Sequence, residues 1–409
     1  MTKILFVVPP LAGHVNPTLA IGRSLRDQGH EVAWVGCGTR VKALLPSDLP
    51  LIPLYNLGIE SINEAWMQKA QRVSGLESFQ FFYQDFLIPL AEAMLAGVQD
   101  AISTFKPDVI LCDQQALAGA LAARRMNIPW ATLATTPAAV FNPIAQFPKV
   151  KEWMVEILGQ IQDKYGLDRW ERPDLSPDMV LILSTHELVG EDKEVPESFQ
   201  FIGPSLRNEC DIAPIAFPWD DLKDDTKKIY LSLGTVNADR SQKFYTKVKE
   251  AFADKPVQVI VSAPPEMLGD IPDNFIVRRV IPQLEILPLV DAVIFHGGHN
   301  TFTEALFHGV PAVVAPIKDD QPVIAEQLVR SGAGLRVHFE RVKSVDLWKT
   351  TERVLFEPEF RNAARRIAKT LKNCGGSPLA AKHLLAMAAL DKKATAPAHA
   401  NRVVDIHIA

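Results

Sequence analysis

The sequence has few of the features that mark a disulfide-stabilised or metal-binding protein. Its 409 residues include only four cysteines, scattered without the Cys-x-x-Cys spacing of a zinc site: Cys37, Cys112, Cys210 and Cys374. Isolated cysteines of this kind are typical of a chain that stays in a reducing compartment. We therefore expect a cytoplasmic protein without structural disulfides or a bound metal.

An excess of positive charge and a long apolar segment are also missing. The net charge is -5, and no cluster of basic residues is interleaved with aromatic residues, so nucleic acid is not an expected partner. The N-terminal run Ile4–Val8 leads directly into Pro9 and lacks the basic region of a signal peptide. The longest stretch of small apolar residues, Ala116–Ala123, is too short for a bilayer, so we expect no transmembrane segment.

The sequence does have a regular alternation of short apolar runs and longer amphipathic stretches. Uninterrupted apolar runs of this length are typical of parallel strands that are buried on both faces. The pattern occurs twice, with strands predicted at Ile4–Val8, Val32–Val35, Val109–Cys112 and Ala131–Leu133, and again at Ile229–Leu233, Val257–Val261, Phe275–Val277, Ala292–Phe295 and Ala312–Ala315. A chain of this length and 47% hydrophobic content can form two domains. We predict two successive α/β units.

A segment rich in proline and charged residues lies between the two patterns. Few regular elements continue through such a sequence, so we expect a linker there. We expect a first domain at residues 1–205, a linker at 206–227 and a second domain at 228–372. A C-terminal helix at 373–390 and an irregular tail at 391–409 follow. Nothing in these segments predicts a large assembly, and we expect a monomer or a homodimer.

The first chemical feature is His14, which follows the first predicted strand. The pattern predicts a helix with Asn16 as its N-cap, Pro17 at its first position and Gly29 at its C-terminal cap. His14 would then precede a helix N-terminus, where the helix dipole disfavours a positive imidazolium. A neutral ring is what a general base requires, whereas a loop histidine that only bonds the backbone is the alternative.

An acid follows another strand of the same unit. Asp113 comes directly after Val109–Cys112, and the carboxyl ends of parallel strands meet at one edge of a doubly wound sheet. A carboxylate there can hold the second nitrogen of His14 and stabilise the cation after proton transfer. The alternative role of Asp113 is an N-cap for the next helix.

The second chemical feature is a glycine pair between a strand and a helix. Gly297 and Gly298 let the backbone approach a ligand, and the helix start offers unpaired N–H groups, so an anion site is expected. Polar side chains surround the pair: His296, Asn300, Thr301 and Glu304. Glu304 lies one turn after Asn300, where its carboxylate suits a ribose diol. The alternatives are a tight packing turn for the glycines and a solvated Glu304.

Two further strand ends of the second unit carry polar groups. Asp320 and Gln321 follow Ala312–Ala315 and offer acceptors and donors for the vicinal hydroxyls of a sugar, although Asp320 also suits a helix N-cap. Gly234 and Thr235 follow the strand that opens this unit and suit a second phosphate contact.

With these residues in view, the chain resembles the inverting nucleotide-sugar-dependent glycosyltransferases that include plant secondary-metabolite and bacterial macrolide enzymes. The donor motif of that family, W-x-P-Q, H-x-G-x-N-[ST]-x-x-E, G-V-P and D/E-Q, reads here as Val280–Gln283, His296–Glu304, Gly309–Pro311 and Asp320-Gln321. The N-terminal Gly-His-x-x-Pro also matches. The resemblance runs from Ile4 to about Leu390 and implies the GT-B fold, with two facing Rossmann-like doubly wound domains, a cleft between them and a last helix that crosses back.

The resemblance assigns a role to each matching residue. It makes His14 the base that deprotonates the acceptor and Asp113 the residue that orients it. In the implied donor site, the diphosphate ligands are His296, Asn300, Thr301 and Thr235, and the ribose ligand is Glu304. The implied ligands of the donor sugar are Asp320 and Gln321. The surrounding motif residues are Gly234, Val280, Gln283 and Gly298. The implied co-substrate is a UDP- or dTDP-sugar, with no other cofactor and no metal.

One position departs from the motif. Val280 stands where the family has a tryptophan under the base, so the nucleobase stays open between uracil and thymine.

An aromatic stretch with few charges is a candidate acceptor pocket, with helix packing as the alternative: Trp66, Phe79, Phe82, Tyr83 and Phe86. We expect a hydrophobic hydroxylated acceptor.

Two other functions fit parts of this pattern. A nucleotide-sugar epimerase would share the diphosphate site but has no use for an apolar acceptor half. A non-catalytic nucleotide-sugar-binding subunit would keep Glu304 and the glycines, but it would not need His14 together with Asp113. Glycosyl transfer accounts for both groups of residues.

Overall fold

A computed structural model describes residues 1–55, 58, 75–141, 147–190, 195–207, 215–234 and 238–394. The chain forms two compact units. Unit 1 consists of Met1–Ile212 together with Cys374–Ala409, and unit 2 consists of Ala213–Asn373. Each unit contains one parallel sheet with helices in the connections, which is the α/β architecture expected from the sequence.

Unit 1 contains a seven-stranded sheet in the order β3-β2-β1-β4-β5-β6-β7. Its strands are β1 Lys3–Val7, β2 Glu31–Cys37, β3 Leu51–Leu54, β4 Val109–Asp113, β5 Trp130–Ala134, β6 Val180–Ile182 and β7 Phe199–Phe201. Its N-terminal helices are α1 Ala12–Asp27, α2 Gly38–Leu44, α3 Gly75–Phe81, α4 Ile88–Phe105, α5 Leu117–Met126, α6 Pro137–Val140, α7 Pro148–Lys164 and α8 His186–Val189. All pairings in this sheet are parallel.

Unit 2 contains a six-stranded parallel sheet in the order β10-β9-β8-β11-β12-β13. Its strands are β8 Lys227–Ser232, β9 Val257–Ser262, β10 Phe275–Arg278, β11 Ala292–Phe295, β12 Ala312–Val314 and β13 Gly334–Arg336. Its helices are α9 Ala238–Phe252, α10 Gln283–Ile286, α11 His299–Phe307, α12 Gln321–Arg330, α13 Ser344–Phe356 and α14 Pro358–Asn373. In both sheets the strand order reverses beside the first strand, as in doubly wound folds.

The last helix, α15 Gly376–Ala394, packs in unit 1. Five of its side chains are buried in the core of that unit: Ala380, Ala381, Leu384, Met387 and Ala388. At its start Ser377 and Ser205 share a hydrogen bond of 2.8 Å, and Ser205 also donates to the carbonyl of Pro17. These contacts attach α15 to α1.

Helix α1 begins earlier than predicted. Leu11 is its N-cap, and the N–H groups of His14 and Val15 donate to the Leu11 carbonyl, so Pro17 lies inside the helix. At this position Pro17 removes the hydrogen bond that an N–H would give to the carbonyl of Gly13. The expected cap at Gly29 is confirmed, since its φ is +80° and its N–H donates to Arg26.

One continuous helical run among the described residues, Glu77–Phe105, is long and apolar enough to cross a membrane by length and composition alone. Half of its most apolar window is buried inside the protein, and Leu90, Met94 and Val98 belong to the core of unit 1. The absence of a transmembrane segment stays a prediction.

Candidate functional site

His14, Asp113 and Thr135 form a hydrogen-bonded cluster in unit 1. The His14 Nδ1 atom lies 2.9 Å from Asp113 Oδ1 and 3.0 Å from Oδ2. The Thr135 hydroxyl donates to Asp113 Oδ2 at 2.6 Å, and its oxygen lies 2.7 Å from His14 Nδ1. Asp113 is buried, whereas the His14 side chain keeps 12% exposure, so only the imidazole can meet a ligand.

Sheet topology explains this cluster. β1 and β4 are paired neighbours, with Val7 opposite Cys112, so the residues that follow them meet at the same edge. His14 lies in the first turn of α1 rather than before it, and this fixes the backbone that carries the imidazole. Asp113 does not cap the next helix, because its Oδ1 accepts the N–H of Gln115 at 2.8 Å.

The cluster determines which nitrogen of His14 is basic. A carboxylate only accepts hydrogen bonds, so the proton of the neutral ring is on Nδ1 and the lone pair is on Nε2. The negative charge of Asp113 also acts on its neighbour. Burial raises the pKa of the Cys112 thiol well above its usual value, and the Asp113 carboxylate raises it further.

The sequence reasoning missed Thr135. This residue directly follows β5, the neighbour of β4, so the rule that led to Asp113 also applies to it. The preceding run Ala131–Leu133 was predicted as a strand, and a polar residue at its end was the available signal. Threonine is common in strands and turns, which makes that signal weak.

In unit 2 the glycine pair forms a close turn before α11. Gly297 has a φ of +99°, and a Cβ there would lie 2.9 Å from the Cβ of Gln321, so both the conformation and the space require glycine. Gly298 is the N-cap of α11, and Asn300 and Thr301 lie in its first turn as predicted. The first turn of α11 carries the N–H groups on which the predicted anion site depends, and that site stays a prediction.

His296 lies beneath this turn as a neutral ring. Burial lowers its pKa to about 4, although a hydrogen bond with the Ser232 backbone opposes the shift. A Cβ on Gly234 would lie 2.8 Å from the imidazole, so Gly234 packs directly on His296. The predicted partner Thr235 lies outside the described residues.

Gln283 and Glu304 are joined by a hydrogen bond. The Gln283 Nε2 atom donates to Glu304 Oε2 and lies 3.5 Å from the Thr301 hydroxyl. On its other side Gln283 Oε1 accepts the hydroxyl of Tyr230 at 2.9 Å. Tyr230 is a second residue that the sequence reasoning missed, because it was counted only as part of a strand.

The remaining donor-site candidates differ in their surroundings. Gln321 is buried, and its Oε1 accepts the N–H groups of Ile317 and Lys318 at 2.8 and 3.1 Å, so this side chain also fixes the loop before α12. Asp320 precedes α12 without a capping hydrogen bond from its side chain. Val280 is 57% exposed, which leaves an open surface where the family motif has tryptophan.

The aromatic stretch of unit 1 is partly core. Phe86 is fully buried, so packing accounts for it, whereas Phe79, Phe82 and Tyr83 are only partly buried against the core. Phe82 and Tyr83 begin a π-helical segment, Phe82–Leu87, a form often found at functional sites. Trp153 of α7 packs against this group, with ring centroids 6.4 Å from Phe79 and 6.3 Å from Tyr83. Trp66 lies outside the described residues.

Among the described residues, no group of three or more His, Cys, Asp or Glu side chains is close enough to hold a metal ion.

Two units with these doubly wound parallel sheets define the GT-B fold of glycosyltransferases. Residues 225–381 match the family described as UDP-glucoronosyl and UDP-glucosyl transferase. The protein is thus a nucleotide-sugar-dependent glycosyltransferase, as the sequence motifs predicted.

Relatives and solved structures agree over nearly the whole chain. The NDP-glycosyltransferase YjiC of Bacillus subtilis (strain 168) is 28% identical over 390 residues, 92% of this chain and 94% of that protein. The 4'-demethylrebeccamycin synthase of Lentzea aerocolonigenes is 25% identical, over 89% of this chain and 94% of its own. The crystal structure of the kitacinnamycin glycotransferase matches with a TM-score of 0.75 and 25% identity, covering 94% and 99% of the two chains.

Proposed function

We propose that this glycosyltransferase inverts the anomeric configuration as it moves a sugar from a UDP- or dTDP-sugar to a hydroxyl of a hydrophobic natural product. The observation that carries the proposal is the His14–Asp113 pair, with its 2.9 Å hydrogen bond and the Thr135 hydroxyl on the same carboxylate. A nucleotide-sugar-binding subunit without catalysis would have no need of such a buried pair.

The chemistry at His14 is general base catalysis. The Nε2 lone pair takes the proton from the acceptor hydroxyl while its oxygen attacks the anomeric carbon from the face opposite the nucleotide. Asp113 holds Nδ1–H, keeps the tautomer fixed and stabilises the imidazolium that forms. The C1–O bond to the diphosphate breaks as the new bond forms, so one displacement inverts the configuration.

The donor side stabilises the leaving nucleotide. Developing charge on the diphosphate is met by the N-terminus of α11 and by the polar groups of Asn300, Thr301 and neutral His296, so the proposal needs no metal. Glu304 accepts hydrogen bonds from the ribose, while Asp320 and Gln321 bind the sugar hydroxyls. Gly234, Gly298, Gln283 and Thr235 complete this proposed site, with Val280 beside the base.

The acceptor is proposed from the partly buried aromatic side chains of unit 1. Phe79, Phe82 and Tyr83 offer apolar surface for a large lipophilic molecule such as a macrolide, polyketide, flavonoid, terpenoid or sterol. We place the reaction in the cytoplasm and expect a monomer or a homodimer.

The test is a panel of UDP- and dTDP-sugars against a library of lipophilic alcohols and phenols, with products detected by mass shift. We expect glycosylated products, and NMR of a product should give the anomeric configuration opposite to that of the donor. Donor hydrolysis without any transfer, or a retained configuration, would contradict the proposal. Donor incubated alone should yield no C2 epimer.

Two histidine variants test the base. His14→Ala should bind UDP normally and lose transfer, because the acceptor keeps its proton. His30→Ala is the matched control, since the His30 ring accepts the backbone N–H of Thr2 in the same unit. Near-normal turnover of His14→Ala would show that another group is the base.

A further inference from the structure

Tyr230 is buried in the centre of the sheet of unit 2, yet its hydroxyl reaches the donor site. The residue lies on β8 and is 1% exposed. Its hydroxyl donates to Gln283 Oε1 at 2.9 Å, and Gln283 belongs to the short helix α10 at the carboxyl edge of the sheet. No motif assigns Tyr230 a role.

The direction of the hydrogen bonds around Tyr230 is fixed. Ser232 and Ser262 are register partners at the ends of β8 and β9. The Glu304 carboxylate only accepts hydrogen bonds, so the Nε2 end of Gln283 faces Glu304 and its Oε1 end faces Tyr230. An amide oxygen also only accepts, so the phenolic proton points to Gln283. Burial raises the pKa of Tyr230 to about 12, so it remains a donor at neutral pH.

Both contacts are satisfied by one orientation of the Gln283 amide. Tyr230 donates to the oxygen end, and the nitrogen end donates to Glu304 Oε2. A flipped amide would place its oxygen against the carboxylate, which is repulsive, and would remove the acceptor of the phenolic proton. Gln283 and Glu304 are only partly buried, so this end of the chain is accessible to a ligand.

We propose that Tyr230 is a positioning residue for the nucleotide, holding Gln283 so that Gln283 in turn holds the Glu304 carboxylate in place for the ribose diol. The inference rests on the proposed role of Glu304 in ribose binding. Tyr230 itself touches no substrate, and its effect reaches the ribose only through Gln283.

The test compares two nucleotides that differ only in the ribose hydroxyls. Tyr230→Phe should raise the Kd of UDP by about three- to tenfold, the range expected for one hydrogen bond, and raise the KM of the UDP-sugar with kcat nearly unchanged. The Kd of 2',3'-dideoxyuridine diphosphate should not change, because that nucleotide has no diol for Glu304. Both constants are measured by calorimetry.

A purely structural role of Tyr230 gives a different result. Equal weakening of both nucleotides would mean that the hydroxyl supports the packing of the site, and it would overturn the inference. Tyr245→Phe is the matched control, because it removes a hydroxyl from another buried tyrosine of unit 2. Thermal unfolding of each variant monitors the fold.

A double-mutant cycle tests the path through Gln283. In a Gln283→Ala background, Tyr230→Phe should have no further effect on the Kd of UDP, whereas additive effects would overturn the path. Glu304→Ala separates the two proposals. If it leaves UDP binding intact, the ribose role of Glu304 fails; if it weakens UDP binding but Tyr230→Phe does not, only the inference about Tyr230 fails.

Discussion

The hydroxyl of Thr135 donates to Asp113 at 2.6 Å, at the carboxylate oxygen that does not make the 2.9 Å contact with His14. Thr135 thus fixes the rotation of the carboxylate about its own axis, and with it the line along which Nδ1–H points. A hydrogen bond to a buried charged group contributes about 1.5–3 kcal/mol. The proposed base therefore depends on a third residue that does not exchange a proton.

Thr135→Val should lower kcat by about tenfold or more, because it removes a hydrogen bond to a charged group at nearly constant volume. The KM of the nucleotide sugar should not change, since the proposed donor residues lie in unit 2. Thr136→Val, one residue further along the loop, leaves the contacts of Asp113 intact and should retain normal kcat. Steady-state kinetics of both variants measure the difference, and an unchanged kcat for Thr135→Val would contradict this role.

Gly234→Ala should weaken nucleotide binding and destabilise the protein. The new Cβ meets the His296 ring at 2.8 Å at a φ of +71°, so strain and displacement of the imidazole act together. Gly29→Ala is the matched control, since Gly29 has a φ of +80° but nothing within 4 Å of its added Cβ. Urea unfolding should show a cost of about 1–2 kcal/mol for the control and more for Gly234→Ala. Equal costs and unchanged UDP binding would contradict the contact.

Val280→Trp should tighten UDP binding about fivefold at the least, because an aromatic ring under a base contributes about 1–3 kcal/mol. Val345→Trp is the control, since Val345 is 57% exposed in the same unit, as is Val280. Calorimetry with UDP and with pyrophosphate separates the contribution of the base to the binding free energy from that of the diphosphate. Tighter binding of pyrophosphate would show that stacking is not the cause.

His296 should make the protein less stable in acid. The unfolded chain takes up a proton at this imidazole near pH 6.5, whereas burial holds the folded pKa at about 4. The unfolded state therefore binds more protons between these values, and stability present above pH 6.5 is lost as the pH falls through this range. His296→Gln should lose less stability than the natural protein between pH 7 and pH 4.5 in urea titrations.

Burial also lowers the pKa of His308 and His383. The stability of the natural protein and that of His296→Gln should therefore both depend on pH. The difference between the natural protein and His296→Gln isolates the contribution of His296. The same loss of stability in both would mean that this imidazole is already solvated in the folded protein.

The long strands of both sheets follow from the sequence, because four or more buried apolar residues in a row are hard to place elsewhere. The strands that the pattern did not predict are short or irregular. β6, β7 and β13 have three residues each, and β3 contains Pro53, so local pattern is too weak to mark them. They depend on pairing with neighbours that lie far away in the chain.

The terminal helices illustrate the effect of one residue. The apolar spacing of Glu352–Asn373 predicts a single helix, but α13 ends at Phe356 and α14 begins at Pro358. A proline disfavours the helical conformation of the residue before it, and Glu357 is extended with a ψ of 114°. The apolar spacing continued across this break and concealed it.

The sequence predicts part of the candidate site and misses the rest. His14 and Asp113 could be brought together from sequence because both follow strands, and strand ends share an edge. Thr135 also follows a strand, but the sequence does not show which groups its hydroxyl or that of Tyr230 contacts. Side-chain directions of this kind are determined by packing.

The return of α15 to unit 1 has a consequence for biosynthesis. Unit 2 has all of its strands and helices once residue 373 has been made, but unit 1 still lacks a helix that buries five side chains in its core. The part of the chain that is translated first is therefore the last to be completed. A chain that ends at residue 373 would lack these five side chains and leave the apolar surface of unit 1 that they cover open to water.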